Sequence, residues 1–583
     1  MQKRTSLALA LALLAAVVVA YLPALRAGFV WNDDTYLTEN PTLDGAAGLK
    51  AIWTDTRVNE QYYPAVFSAF WVEKRLWGLH PLGYHLVNVL LHAASALLLW
   101  WFLRRLGLPG AWFAAALFAL HPVCVESAAW VTERKNTLSF FLTLLAAHAY
   151  LASSEARAVA HDRRGGRKAP PDVPWHRRPG TLYFAALASF TLALFAKTTA
   201  ALLPPVLLVL MWWRKGKLRW ADVRPLVPFF LVGIALAWHT AWLEKTIVRA
   251  VGTEWSLGFP GRVVLAGRVV AFYAAKLAWP TDLAFIYPRW VIDTRVWWQW
   301  LPALAAFVVL VATWALRERF GRGPLAAVLL FGGVVFPAMG FFNVYAMRYS
   351  YVADHFAYQA AAVFAAAVAC GVATVLAGGP HTVRRAAAGI GVVALGILGV
   401  LSFRQARVFR DADTLWLDTL AKNPECFMCH TNYGHSLYAR GRVAEALEHF
   451  EASLRLKPDN VPTLLSIAKV EDERGRLDES IARLRSALDI DPTDTTVLVN
   501  LGVAYTKAGR FDEAIPQFEE ALRNPSPDDY LAHNGLGVAL IRTGRTAEAA
   551  EHFREALRLR PDFWKARANL ERAREMLNPS TPR

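Results

Sequence analysis

The residues best suited to chemistry stand where long apolar blocks end. Behind the first block the chain reads Val30-Trp31-Asn32-Asp33-Asp34-Thr35-Tyr36. Adjacent carboxylates at the outer membrane surface could supply a general base or a metal ligand, although an ordinary solvated acid pair reads the same way. A second cluster runs His121-Pro122-Val123-Cys124-Val125-Glu126 and continues to Thr132-Glu133-Arg134-Lys135-Asn136. Ionisable groups near membrane depth are costly, so His121 and Glu126 are expected to line a polar cavity; the alternative is a helix-end cap with snorkelling side chains. Lys197 interrupts two apolar blocks in Phe195-Ala196-Lys197-Thr198-Thr199. An ammonium at that turn can hold a lipid phosphate as a compact point charge, or simply snorkel. Arg348 and the pair Asp354-His355 repeat the pattern at another block end. No resident metal ligands are assigned. Cys426-Phe427-Met428-Cys429-His430 matches the C-x-x-C-H pattern of covalent haem attachment. These residues open a helix of a repeat and no second axial ligand follows, so a disulfide or two buried thiols is the preferred reading.

The elements that must position these groups follow from the apolar pattern. The chain has 583 residues, 55% of them hydrophobic, and the apolar residues fall in long blocks before residue 405. A bilayer core needs roughly 20 apolar residues per helix. Eleven spans are expected, at 6–25, 82–104, 110–126, 136–153, 181–197, 199–213, 225–243, 299–316, 324–342, 352–377 and 385–403. Residues 261–279 carry Arg262, Arg268 and Lys276 and read as re-entrant or interfacial. Of the net charge of +16, residues 411–583 hold about −5, leaving about +21 on residues 1–410. That excess sits in short loops: Arg104-Arg105, Arg163 to Arg178, Arg214 to Arg219, Arg317 to Arg322 and Arg384-Arg385. The positive-inside rule places such loops in the cytoplasm, so the basicity is topological and no nucleic-acid partner is expected. Starting inside, eleven spans put loop 26–81 and the whole C-terminal region on the non-cytoplasmic face. The first helix is expected to be retained rather than cleaved as a signal peptide.

The C-terminal region repeats. Gly434, Ala468, Gly502 and Gly537 recur at spacings of 34, 34 and 35. Ala446, Ser480, Ala514 and Ala549 follow each by twelve residues, and Phe450, Leu484, Phe518 and Phe553 by sixteen. Small residues let two helices approach, the larger side chain fills the groove between them, and Pro458, Pro492, Pro561 or Asn524-Pro525-Ser526-Pro527 ends the unit. This is a tetratricopeptide-repeat solenoid. The expected class is all-α: a polytopic membrane domain (1–405), a connector or half-repeat (406–426), four repeats (427–460, 461–494, 495–528, 530–563), and a cap helix with tail (564–583). Such arrays present concave surfaces to peptides or partner proteins.

Three stretches together resemble a known family: Asn32-Asp33-Asp34-Thr35-Tyr36 with Asn40-Pro41, the segment His121 to Asn136, and Tyr351-Val352-Ala353-Asp354-His355. They are similar to the bacterial relatives of the transmembrane and tetratricopeptide repeat O-mannosyltransferases, in the GT-C glycosyltransferase superfamily. The resemblance implies an integral, multi-pass protein of the bacterial cytoplasmic membrane. The implied activity moves a sugar, mannose in the family's name, from a polyprenyl-phosphate carrier to a protein Ser or Thr hydroxyl. Asp33 or Asp34 maps onto the family's acidic residue and would be the base. Lys197, Arg134, Lys135 and Arg348 would offset the charge of the lipid phosphate, with His121, Glu126, Asp354 and His355 around the substrate. The family's motif has a histidine where this chain has Cys124. A divalent cation is left open, and the repeats would recruit acceptor polypeptides. The competing reading is a non-catalytic membrane scaffold whose repeats assemble an envelope or secretion complex.

Overall fold

The computed structural model describes all residues except 1, 60, 164–174, 247–255, 527 and 579–583. Pro527 and most of the basic run between Arg163 and Arg178 therefore lie outside the described residues. Among the described residues every regular element is helical and none is a strand. Two compact units emerge, Met1–Pro424 and Glu425–Arg583.

Among the described residues of the first unit, seven helices are long and apolar enough to cross a membrane: Pro81–Arg105, Val131–Val159, Pro179–Ala196, Trp220–Thr246, Trp297–Glu318, Asp354–Gly378 and His381–Arg410. The eleven expected spans are not reproduced at that length. The helix Leu203–Lys215 has 13 residues, about 20 Å at 1.5 Å per residue against a hydrocarbon core of about 30 Å. Arg4–Ala20 and Gly323–Ala338 are apolar but short. The helix Phe259–Ala278 keeps its three basic residues and is not among the seven.

Expected span 110–126 is broken. Ala111–Ala119 and Pro122–Ala129 meet at 55°. Pro122 cannot donate to the preceding turn and drives His121 into extended backbone, φ −79° and ψ 126°. The carbonyls freed at the break find side-chain partners: His92 donates to the Ala119 oxygen (3.0 Å) and Ser402 to that of Leu120 (2.8 Å). A membrane helix tolerates a break only where its backbone groups are paired again.

A buried ion pair ties three elements together. Arg134, at the start of Arg134–Arg163, is fully buried. Its guanidinium donates to both oxygens of Glu73 on the helix Pro64–Trp77, and to the Asn88 side chain and the Tyr84 carbonyl (2.8 Å) on Pro81–Arg105. The helix Ala412–Lys422, expected as a half-repeat, belongs to this unit. Lys422 donates to the Leu283 carbonyl (2.7 Å) and Asn423 to that of Ile286 (3.2 Å), and Trp416 packs edge-on against Trp31 and Phe285.

The second unit is the repeat array. Its helix pairs are Phe427–Ala439 with Val443–Leu456, Val461–Glu473 with Leu477–Ile490, Thr495–Lys507 with Phe511–Arg523, and Asp529–Arg542 with Thr546–Leu559, capped by Trp564–Leu577. The small-residue positions explain themselves sterically. A Cβ added at Gly434, Gly502 or Gly537 would come within 2.6, 2.7 or 2.6 Å of Phe450, Phe518 or Phe553 respectively. In the second repeat the filler is the smaller Leu484, and Ala468 is accommodated. Each turn within a pair holds a glycine at positive φ: Gly441 (74°), Gly475 (76°), Gly509 (75°) and Gly544 (81°). Cys426 and Cys429 form a disulfide at the start of the first pair.

Arg134→Met leaves the Glu73 carboxylate buried without its partner, so a loss of about 3–5 kcal/mol is expected. Thermal unfolding of the detergent-solubilised protein would report it. Combining Arg134→Met with Glu73→Leu should recover a large part, because the residues are coupled; unchanged melting in Arg134→Met would deny the pair its structural role.

Candidate active site under the first loop

Segment 26–81 folds onto the turn between the broken helix and Arg134–Arg163, and Asp33 makes the junction. Asp33 is wholly buried at the start of the short turn Asp34–Thr38. One carboxylate oxygen accepts from the Val30 N–H (2.9 Å), the other from the N–H (2.9 Å) and hydroxyl (2.6 Å) of Thr132. Burial pushes its pKa up to about 6, against the opposing pull of these hydrogen bonds. Beside it Trp31, at φ 45°, stacks on Trp130 with ring centroids 5.5 Å apart. Asp34, by contrast, is exposed.

Behind this junction lies a cluster of charges. The buried Glu133 carboxylate forms an ion pair with Lys135 (2.9 Å) and accepts from the Asn136 amide (2.6 Å), with the Lys197 ammonium 3.7 Å away. Lys197 donates to the Asn136 oxygen at 2.7 Å. His355 joins from the other side: its Nδ1–H and backbone N–H donate to the two oxygens of Glu126 (2.8 and 3.1 Å), and its Nε2 is 4.0 Å from Glu133. The Asn136 amide also reaches the His355 carbonyl at 2.9 Å. Both lysine side chains are 12% exposed. Lys197 sits at the end of Pro179–Ala196, and burial pulls its pKa down to about 8, partly offset by Glu133.

The first loop supplies an aromatic wall. Lys135 lies 5.4, 6.0 and 5.8 Å from the ring centres of Tyr36, Tyr63 and Trp130, within cation–π range. Tyr36 donates to Gln61 (2.7 Å), while Trp53 and Tyr62 pack edge-on against Phe195, next to Lys197.

Of the residues singled out in the sequence, Glu126, Lys135, Lys197 and His355 are brought together, and Asp34 stands on the same turn as Tyr36. His121 and Arg134 are not part of this cluster. His121 caps the helix break, accepting from the Val123 N–H (3.3 Å) and donating to the Leu277 carbonyl (2.9 Å), and its side chain is buried. Arg134 is consumed by Glu73. Asp354 is buried and accepts from the Tyr287 hydroxyl (2.8 Å). Arg348 ends the turn Tyr345–Arg348 and is half-buried. Glu133 and Asn136 have no role assigned from the motif, yet they hold the cations; an acid directly followed by two basic residues in Glu133-Arg134-Lys135 is the available signal. Glu244, which accepts from the Tyr345 N–H (3.3 Å) and acts electrostatically on Lys135 and Tyr63, carried no motif at all. Cys426 and Cys429 spend on each other the two sulfurs that thioether bonds to haem would need.

Comparison with known proteins adds two findings. Families described as tetratricopeptide repeat match residues 398–461 and 499–562, and residues 437–498. Among curated proteins the chain is similar to the protein O-mannosyl-transferase Tmtc1 of Drosophila melanogaster, 35% identical over 144 residues, covering 23% of this chain and 17% of that protein. It is 28% identical over 150 residues to the protein O-mannosyl-transferase F38B6.6 of Caenorhabditis elegans, covering 23% and 22%. For the protein O-mannosyl-transferase TMTC2 of Mus musculus the figures are 32% over 139 residues, covering 21% and 17%. Solved structures similar to it include MamA, at 22% identity and a TM-score of 0.24, covering 26% of this chain and 82% of that one. Another is YrrB, a TPR protein with an unusual peptide-binding site, at 20% identity and 0.24, covering 27% and 80%. The curated relatives of this chain are thus protein O-mannosyl-transferases, matched over the repeat region, and the chain spans about a fifth of their length.

Proposed function

We propose that this chain is a membrane glycosyltransferase that moves a sugar from a polyprenyl-phosphate carrier to a Ser or Thr hydroxyl of a protein on the non-cytoplasmic face. The observation that carries the reading is the pair Lys135 and Lys197, held by Glu133 and Asn136 beneath a loop that exposes Asp34. Two ammonium groups against an aromatic wall suit a phosphate ester joined to an uncharged sugar. In the reaction the acceptor hydroxyl oxygen attacks the anomeric carbon and gives its proton to a carboxylate. The bond from that carbon to the phosphate oxygen breaks, its electron pair leaving with the lipid phosphate. Lys135 and Lys197 then neutralise the charge that develops there.

Between the two aspartates, geometry favours Asp34 as the base. A base must reach the acceptor proton within hydrogen-bond distance, and both oxygens of Asp33 are already engaged in the interior. Asp33 is assigned as a positioning residue, holding the loop against Thr132. The repeats would bind the acceptor polypeptide. Their placement outside the cytoplasm is supported by the Cys426–Cys429 disulfide, since such bonds persist in oxidising compartments, together with the loop-charge pattern.

Transfer from a labelled polyprenyl-phosphate sugar to an acceptor peptide tests the assignment. Asp34→Asn should lower turnover about 100-fold or more with melting unchanged, whereas Asp33→Asn should shift melting and loop protease sensitivity as well. Loss of activity in Asp33→Asn alone, with native melting, would overturn the choice of base; full activity in Asp34→Asn and in Lys135→Ala/Lys197→Ala would favour the scaffold reading.

The pH dependence has a definite sign. Lys197 is a cation below its pKa of about 8 and neutral above it. Donor affinity should therefore fall as pH rises through about 8, and Lys197→Arg, which stays charged, should abolish that upper limb. A donor-binding titration from pH 6 to about 9.5 checks this, and an identical limb in Lys197→Arg would assign it to another group.

A further inference from the structure

The repeat array contains two histidine pairs in the same place. His430 on Phe427–Ala439 faces His449 on Val443–Leu456 with the two Nδ1 atoms 2.8 Å apart. His533 on Asp529–Arg542 faces His552 on Thr546–Leu559 with the Nδ1 atoms 2.9 Å apart. Both partners are displaced by 103 residues between the first and fourth repeats, the sum of three repeat lengths. The ring geometry recurs too, with centroids 5.1 and 5.2 Å apart and interplanar angles of 32° and 29°.

The middle repeats treat this position differently. Where the first and fourth place His430 and His533, the second and third bury Leu464 and Leu498, opposite Arg483 and Gln517. The imidazoles stand half-buried where the middle repeats bury leucine, and the imidazole–imidazole hydrogen bond contributes about 1 kcal/mol. We propose that each pair is a chelating site for a late first-row divalent cation, Cu²⁺ foremost and Ni²⁺ next, which clamps the two helices of that repeat together.

The spacing is compatible with chelation. With metal–nitrogen bonds of about 2.0 Å, two cis ligands of a square-planar or octahedral ion stand roughly 2.8 Å apart, while two ligands of a tetrahedral ion stand roughly 3.3 Å apart. Both pairs match the first value. Neutral imidazoles are the donors Cu²⁺ and Ni²⁺ prefer, and the order of affinities places Cu²⁺ first. Nearby acids supply compensating charge rather than bonds: Glu445 and Glu548, each four residues before the second histidine, are held by Arg442 (2.5 Å) and Arg545 (2.6 Å). The thiols next to His430 are tied up in their disulfide, so the site is nitrogen-only. Water would complete the coordination shell. This site is independent of the proposed transferase activity.

Full-length protein without a polyhistidine tag, in detergent and a non-chelating buffer, should bind two equivalents of Cu²⁺. His449→Gln and His552→Gln should each remove one, the double variant both, and His435→Gln, which touches Ser466 instead, neither. Electron paramagnetic resonance of the wild type should show two coordinating nitrogens per ion, a readout that needs no variant to fold. Melting should rise with Cu²⁺ in the wild type and stay unchanged in the double variant. Wild-type stoichiometry in the double variant, or a spectrum with fewer than two nitrogens, would overturn the proposal.

Discussion

Two ammonium groups cannot share a poorly hydrated site unless a carboxylate stands between them, and in this protein Glu133 is that carboxylate. It pairs with Lys135 at 2.9 Å, lies within ion-pair distance of Lys197 and faces His355. Opposite charges at a few ångströms in a medium of reduced dielectric interact by several kcal/mol, and for Lys197 the Glu133 charge opposes the downward pull of burial. Asn136 completes the arrangement by donating to Glu133 and accepting from Lys197. Glu133 therefore sets both the charge of the site and its geometry, and the rest of the first unit brings the first loop, residues 126–136, Lys197 and His355 to it.

Those segments arrive because helices stop where they do. Pro122 ends the helix Ala111–Ala119 and lets Glu126 to Asn136 turn inside the unit instead of continuing through it. The helix Pro179–Ala196 ends at Lys197, whose extended backbone (φ −162°, ψ 129°) directs the next residues into a 3-10 turn. Such irregular backbone within a membrane protein is affordable only when it lines a polar space or is paired by side chains, and here it is paired by His92, Ser402 and His121. The first loop is then sealed over the cluster by Asp33, which converts three hydrogen bonds from Val30 and Thr132 into a fixed position for Tyr36, Tyr63 and Asp34.

The repeat unit works on a simpler rule. Steric complementarity between a small residue and a filler sixteen positions later is met separately in every repeat, as glycine with phenylalanine three times and alanine with leucine once. Each helix pair can thus be argued from its own sequence, and departures from the rule, such as the histidine pairs of the outer repeats, stand out against it.

The sequence by itself determined what depends on local period and composition: the apolar blocks, the basic loops, and the repeat length with its small-residue partners, whereas the break at Pro122 reads in the sequence as an unbroken span 110–126. It also marked a cluster of reactive residue types. Only the tertiary structure decided which of them meet. Arg134 is spent on Glu73, 61 residues away, and His121 on the Leu277 carbonyl, 156 residues away; Asp33 is turned inward by Thr132, 99 residues on, while its neighbour stays in solvent. Glu133 gained its importance from Lys197 and His355, neither of which is near it in the chain. Burial and ion pairing are set by which distant segments pack together, and no spacing along the chain encodes that choice.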